Sequence, residues 1–132
     1  MEPAQLVDTD RLMLLINSAE SIKASTNEVK LHYYTFFAKV EGVPFIYDFQ
    51  VLRSLYSTTL HDDLKYLEEG EYLKTGSDFH LADKGKKHLG SLPEEAIKTQ
   101  QKLTDILKRY AKKDELTLFK EAYAKITKGL SE

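Results

Sequence analysis

Three consecutive hydroxyls, Ser57, Thr58 and Thr59, stand at the head of an apolar stripe made by Leu60, Leu64 and Leu67. Leucines at i, i+4 and i+7 define one face of a helix. With that face turned inward, Ser57, Thr58, Thr59, His61, Asp62, Lys65, Glu68 and Glu69 point outward. Hydroxyls in the first turn of a helix can bond phosphate oxygens beside the free backbone N–H groups there. His61 and Lys65 can reach base edges or phosphates, whereas Asp62 can only accept, as from cytosine N4. A second group of cations and hydroxyls follows: Lys74 and Ser77, then Lys84, Lys86 and Lys87. These lysines are the best phosphate partners in the chain.

Other chemistry is poorly supplied. His32, His61, His80 and His88 are scattered, and the run His61-Asp62-Asp63 lies on a helix, where neighbours diverge and cannot share one ion. No metal and no cofactor is expected. The chain has no Gly-rich phosphate loop, no nucleophile elbow and no H-E-x-x-H run. Glu68 and Glu69 are neighbours on different faces, not an acid–base pair. No catalytic residue is expected. Cysteine is absent, which removes disulfides, thiol chemistry and cysteine-ligated metals.

The net charge of -2 predicts no polyanion partner by itself. Its distribution says more. Residues 57–81 hold Lys65 and Lys74 against Asp62, Asp63, Glu68, Glu69, Glu71 and Asp78, while residues 82–113 are rich in lysine. Arginine is confined to Arg11, Arg53 and Arg109, away from the hydroxyl-tipped helix. Any electrostatic footprint for nucleic acid is centred downstream of that helix.

The elements that must position these groups can be read along the chain. At 132 residues it suits one domain. Residues 1–7 read as a flexible N-terminus. Asp8 or Asp10 can cap a first helix carrying Leu12, Leu15, Ile16 and Ala19. Asn27 can cap a second, from Glu28 to Glu41, so crowded with aromatics that it must be buried on most sides. Gly42 ends it. Phe45–Phe49 reads as a short strand or an extended link, with Phe45, Tyr47 and Phe49 on one face, and Gln50–Tyr56 is ambiguous. Ser57 caps the third helix and Gly70 closes it. Tyr72–Lys74 and Phe79–Leu81 read as hairpin arms around Gly76-Ser77-Asp78, with glycine supplying positive φ. Asp83 can cap a short helix. Ser91 and Glu94 form a capping-box pattern before a long helix, and Asp114 caps the last one. There Leu116, Phe119, Tyr123, Ile126 and Leu130 recur at spacings of three and four, a heptad-like seam suited to a two-fold dimer interface.

The order helix, strand, tight turn, strand resembles the winged-helix (winged helix-turn-helix) superfamily. More narrowly, the chain looks like the YwgA-type small prokaryotic proteins. The likeness rests on Lys30-Leu31, on Tyr56-Ser57, on Leu67-Glu68-Glu69-Gly70, on Leu81-Ala82-Asp83-Lys84-Gly85 and on the Leu118 to Tyr123 pattern. Ala82 stands where that family usually has threonine, and its Gly-Pro loop entry is missing. The resemblance implies a mainly α fold with a small β-hairpin: a winged-helix domain over 8–90, and a C-terminal helical extension over 91–132 that dimerises. It also implies a DNA-binding transcriptional regulator acting on double-stranded DNA as a homodimer. The alternative is a winged helix used as a protein-interaction module, antitoxin-like or adaptor, whose acidic third helix meets a protein partner. No apolar run is long enough to span a bilayer and no signal peptide is evident, so no membrane partner and a cytoplasmic location are expected.

Overall fold

The computed structural model describes residues 6–51 and 54–131, with side chains as far as Lys128. It is mainly helical, with six helices and two small antiparallel strand pairs among the described residues. None of these helices is long and apolar enough to cross a membrane.

Helix α1 spans Asp8–Ser21 and buries Leu12 through Ile16 without a break. Neither aspartate takes the capping position expected of it. Val7 does, and Asp10 reaches back from the first turn to accept from the Val7 N–H at 3.2 Å. Asp8 instead accepts from Arg11 at 3.0 Å and from the Ile46 N–H at 3.1 Å. Helix α2 spans Glu28–Val40 and starts where expected, with Asn27 Oδ1 accepting from the Lys30 N–H at 2.9 Å. Leu31 through Ala38 are all buried, so the middle of α2 is covered on every side. It ends in a Schellman turn. Gly42 adopts φ +100°, its N–H bonds the Lys39 carbonyl, and the Val43 N–H bonds that of Ala38.

The stretch Phe45–Phe49 belongs to no sheet, so of the two expected forms it is the link and not the strand. Its alternation is real, since Phe45 and Tyr47 are buried and Ile46 and Asp48 exposed. Two of its backbone groups meet side chains instead of a neighbouring strand: Asp8 takes the Ile46 N–H, and Lys39 Nζ donates to the Tyr47 carbonyl at 2.5 Å. The ladder falls one step later, where β1 (Gln50–Val51) pairs antiparallel with β2 (Leu55–Tyr56).

Helix α3, Thr58–Glu69, docks through Leu60, Leu64 and Leu67. Its left-handed exit residue is Glu71 at φ 66°, not the glycine before it. Strands β3 (Leu73–Thr75) and β4 (Phe79–Leu81) pair Leu73 with Leu81 and Lys74 with His80. Gly76 has no positive φ, so the turn works differently from the expected glycine turn. The Gly76 N–H bonds the Asp78 carbonyl, and Asp78 Oδ2 accepts from the Thr26 N–H.

Helix α4, Asp83–Gly90, begins after Ala82, so Asp83 lies inside the helix and does not cap it. Gly85 lets α4 sit on the hairpin, since a Cβ there would fall 2.4 Å from the Tyr72 carbonyl oxygen. Helix α5, Glu95–Tyr110, starts without the expected capping box. Ser91 Oγ donates to the His88 carbonyl at 2.6 Å, which closes α4 and leaves nothing for α5. Helix α6, Glu115–Ser131, is capped as read, with Asp114 Oδ1 accepting from the Thr117 N–H at 2.8 Å.

Helices α5 and α6 close the same core as α1 to α3. Helix α5 lies along α1 with Leu103, Ile106 and Leu107 buried. A polar seam fixes its register there: Gln100 accepts from Asn17 Nδ2 and donates to the Leu14 carbonyl, both at 2.9 Å. Tyr110 stacks on Phe37 with centroids 4.2 Å apart. Helix α6 packs on α2 through Leu118 and Ala122.

Candidate nucleic-acid interface

The tip of α3 is held by a chain of polar contacts that begins on α2. Ser57 is buried at 1% exposure. Its N–H donates to His32 Nδ1 at 3.0 Å, and its Oγ accepts from the Leu60 N–H at 3.2 Å. A ring nitrogen that accepts is unprotonated, so His32 is the neutral tautomer with hydrogen on Nε2. That nitrogen faces Glu28 Oε2 at 3.3 Å, and His61 Nδ1 reaches the same oxygen at 2.6 Å. Burial pushes the pKa of His32 below its usual value, against the pull of Glu28. Tyr56 stacks on the His32 ring with centroids 4.8 Å apart. Glu28, one turn before His32, thereby ties the start of α2 to the start of α3.

This network sorts the residues expected to touch nucleic acid. Ser57 faces the interior and its hydroxyl is spent on the cap, so it offers no surface contact, contrary to expectation. Thr58 and Thr59 are exposed at the first turn. His61 is half-buried and committed to Glu28 through Nδ1. Lys65 is exposed further along the helix. On the hairpin, Lys74 and Ser77 are exposed. Lys84 Nζ donates to the Gly70 carbonyl at 2.8 Å and lies 4.5 Å from the centre of the Tyr72 ring. It thus caps the far end of α3, about 18 Å along the axis from the threonines. Lys86 and Lys87 are exposed on α4.

The outer surface of α3 is acidic. Asp62, Glu68 and Glu69 are exposed, and Tyr66 beside them is 64% exposed. Two cavities run along the side of this helix. One, of about 340 Å³, is bordered by Asp8, Ile46, Asp48, Thr59 and Asp63. The other, of about 250 Å³, is bordered by Met13, Tyr66, Tyr72 and His88. They meet at Val7 and Thr9, which line both. Asp63 is already engaged, accepting from the buried Tyr47 hydroxyl at 2.6 Å, and burial together with that carboxylate drives the tyrosine pKa well above its usual value.

Two further histidines tie the hairpin and α4 to α1. His80 Nδ1 meets Glu20 at 2.8 Å, and His88 Nε2 meets Asp10 at 2.6 Å. Among the described residues no group of three His, Cys, Asp or Glu side chains is placed to hold a metal ion.

Sequence reasoning missed Glu28 and His32. The signal was there in part, because they sit four apart on one helix face. The link from Glu28 to His61 spans 33 positions and no local pattern announces it.

The seam expected on α6 divides. Leu116 is 62% and Tyr123 51% exposed, whereas Phe119 and Ile126 are half-buried against the core. Leu118 and Ala122, which the seam left out, are the residues that go inside. The side chain of Leu130 lies outside the described residues. No protein-family model matches this chain, and no curated protein matches it significantly.

Proposed function

We propose that the chain is a winged helix that binds double-stranded DNA as a homodimer and regulates transcription. In this reading α3 is the recognition helix and β3–β4 the wing. The observation that carries it is the placement of Thr58 and Thr59. They are exposed at the N-terminus of a helix docked by its leucines, and a two-stranded hairpin with Lys74 and Ser77 at its surface follows directly. Recognition helices read the major groove with their N-terminal residues. Lys86 and Lys87 supply phosphate neutralisation, with Lys65 and Lys74. Ser57 serves the geometry and not the contact, His61 offers only its Nε2 edge, and Lys84 is largely spent on the end of α3.

The test is a titration of mixed duplexes at low salt, followed by fluorescence anisotropy. Binding at micromolar protein is expected, with the joint change Lys86→Glu and Lys87→Glu abolishing most of it. Losing two phosphate contacts should also flatten the log–log salt slope by about two. No binding, or binding indifferent to both lysines, removes the assignment.

The acidic flank of α3 favours a second reading, a winged helix that docks a basic protein through Asp62, Glu68, Glu69 and exposed Tyr66. Reversing those three acids to lysine would then abolish a protein complex, and in the first reading would strengthen DNA binding.

A further inference from the structure

The polar chain that holds the tip of α3 also sets the hydrogen-bonding sense of a ring at the surface. It starts at a group that has no choice. The Ser57 N–H can only donate, and it points at His32 Nδ1, so His32 carries its hydrogen on Nε2. That Nε2–H donates to Glu28 Oε2 at 3.3 Å. His61 Nδ1 lies 2.6 Å from the same oxygen. A bare nitrogen there would set lone pair against lone pair, so Nδ1 is the position at which His61 carries its hydrogen. In the neutral ring Nε2 is then bare, and it can only accept. Among the described residues nothing bonds this nitrogen.

The side chain of His61 is 30% exposed and belongs to the fourth residue of α3, just after the two surface threonines. Asp62, the next residue, is exposed and its carboxylate also only accepts. The donor Lys65 comes a turn later. Apart from the threonines, which serve either way, the start of α3 therefore offers acceptors. Arginine and lysine, which read guanine O6 and N7, offer donors instead. In the major groove adenine N6 and cytosine N4 carry amino hydrogens, whereas guanine O6 and N7 and thymine O4 only accept. A bare imidazole nitrogen bonds the first pair of groups and is repelled by the others.

We infer that His61 determines specificity by accepting, through Nε2, from the exocyclic amino group of an adenine or a cytosine, and that Glu28 is the positioning residue that keeps Nε2 bare. This rests on the DNA-binding reading above and names the base edge that α3 selects. The buried Ser57 N–H thus governs a contact it never makes, through His32 and Glu28 in turn.

Two measurements on the full chain test this. Long-range proton–nitrogen correlation spectra at about pH 8, where imidazole is ordinarily neutral, should show His61 protonated at Nδ1 and bare at Nε2. Glu28→Ala should give a mixture of the two tautomers. Hydrogen on Nε2 in the wild type overturns the inference, as does a tautomer unchanged in Glu28→Ala. The second measurement alters single atoms of DNA. Duplexes selected from a randomised pool at low salt are remade with one exocyclic amino group removed at a time, purine replacing adenine and the deaminated ring lacking that group replacing cytosine. At one position the deletion should weaken wild-type binding on the order of tenfold and leave His61→Ala unaffected. Changing a purine N7 to CH should affect both proteins alike. Amino deletions that cost the wild type and His61→Ala equally at every position overturn the inference and leave DNA binding standing. No duplex binding at all removes the DNA reading itself, and this contact with it.

Discussion

At the tip of α3, polar groups that leave water meet partners: the Ser57 N–H at His32, the Leu60 N–H at the Ser57 hydroxyl, and His32 and His61 together at Glu28. Along the outer stripe of α6, apolar groups that would leave water do not. Leu116 and Tyr123 lie open, as does Val40 on α2. The first region is complete within one chain, and its polar groups are fixed by directional bonds whose loss would leave buried donors unpaired. The second is held through Leu118 and Ala122 on its inner face, with Phe119 and Ile126 half-buried beside them. One surface is thus finished internally and the other stays open to water, and the two should respond differently to the same substitution.

The sharpest contrast is leucine against leucine. Leu64→Ala removes a side chain at 1% exposure and should cost about 2–5 kcal/mol in urea unfolding. Leu116→Ala should stay within about 0.5 kcal/mol when measured at the lowest practicable protein concentration, where association contributes least. Equal costs would mean that the α6 stripe is as covered as the core.

Next in size is the polar tip. His32→Leu leaves the Ser57 N–H without its acceptor and should cost about 1–3 kcal/mol. Ser57→Ala, which removes the cap, should cost about 1 kcal/mol. Thr58→Ala, one residue on but exposed, should be nearly silent. A silent His32→Leu would show that the network is incidental to how α3 docks.

The smallest effect is in pH. Burial holds the pKa of His32 below its ordinary value near 6.5, so the unfolded chain takes up a proton there before the folded one does. Stability from this group is therefore complete above about 6.5 and declines as the pH falls below it. Protonation would also convert Nδ1 from acceptor to donor and expel the Ser57 N–H. Thermal midpoints of the wild type should fall on acidification through this range more steeply than those of His32→Leu. Parallel curves would show that His32 contributes nothing to the slope.

Local chemistry was legible where a few adjacent residues decide the outcome. Asn27, Ser57 and Asp114 cap their helices as read, because a cap needs only a side-chain oxygen and a backbone N–H three positions on. Leu60, Leu64 and Leu67 went inside because their spacing leaves them one common face. Local reading failed where a distant group intervened. Phe45–Phe49 has a spacing that left strand and link both open, and Asp8 and Lys39 take two of its backbone groups where a partner strand would. Ser91 and Glu94 have the spacing of a capping box, yet Ser91 is drawn to the end of the previous helix.

The candidate site shows the same division. The sequence by itself determined that a hydroxyl-tipped helix leads into a short hairpin, because side-chain period and turn chemistry are properties of neighbouring residues. Only the tertiary structure decided that Ser57 turns inward while Thr58 and Thr59 stay out, that Lys84 closes the far end of α3, and which side of α6 meets α2. Those outcomes depend on contacts between residues far apart in the chain, and no local spacing encodes them.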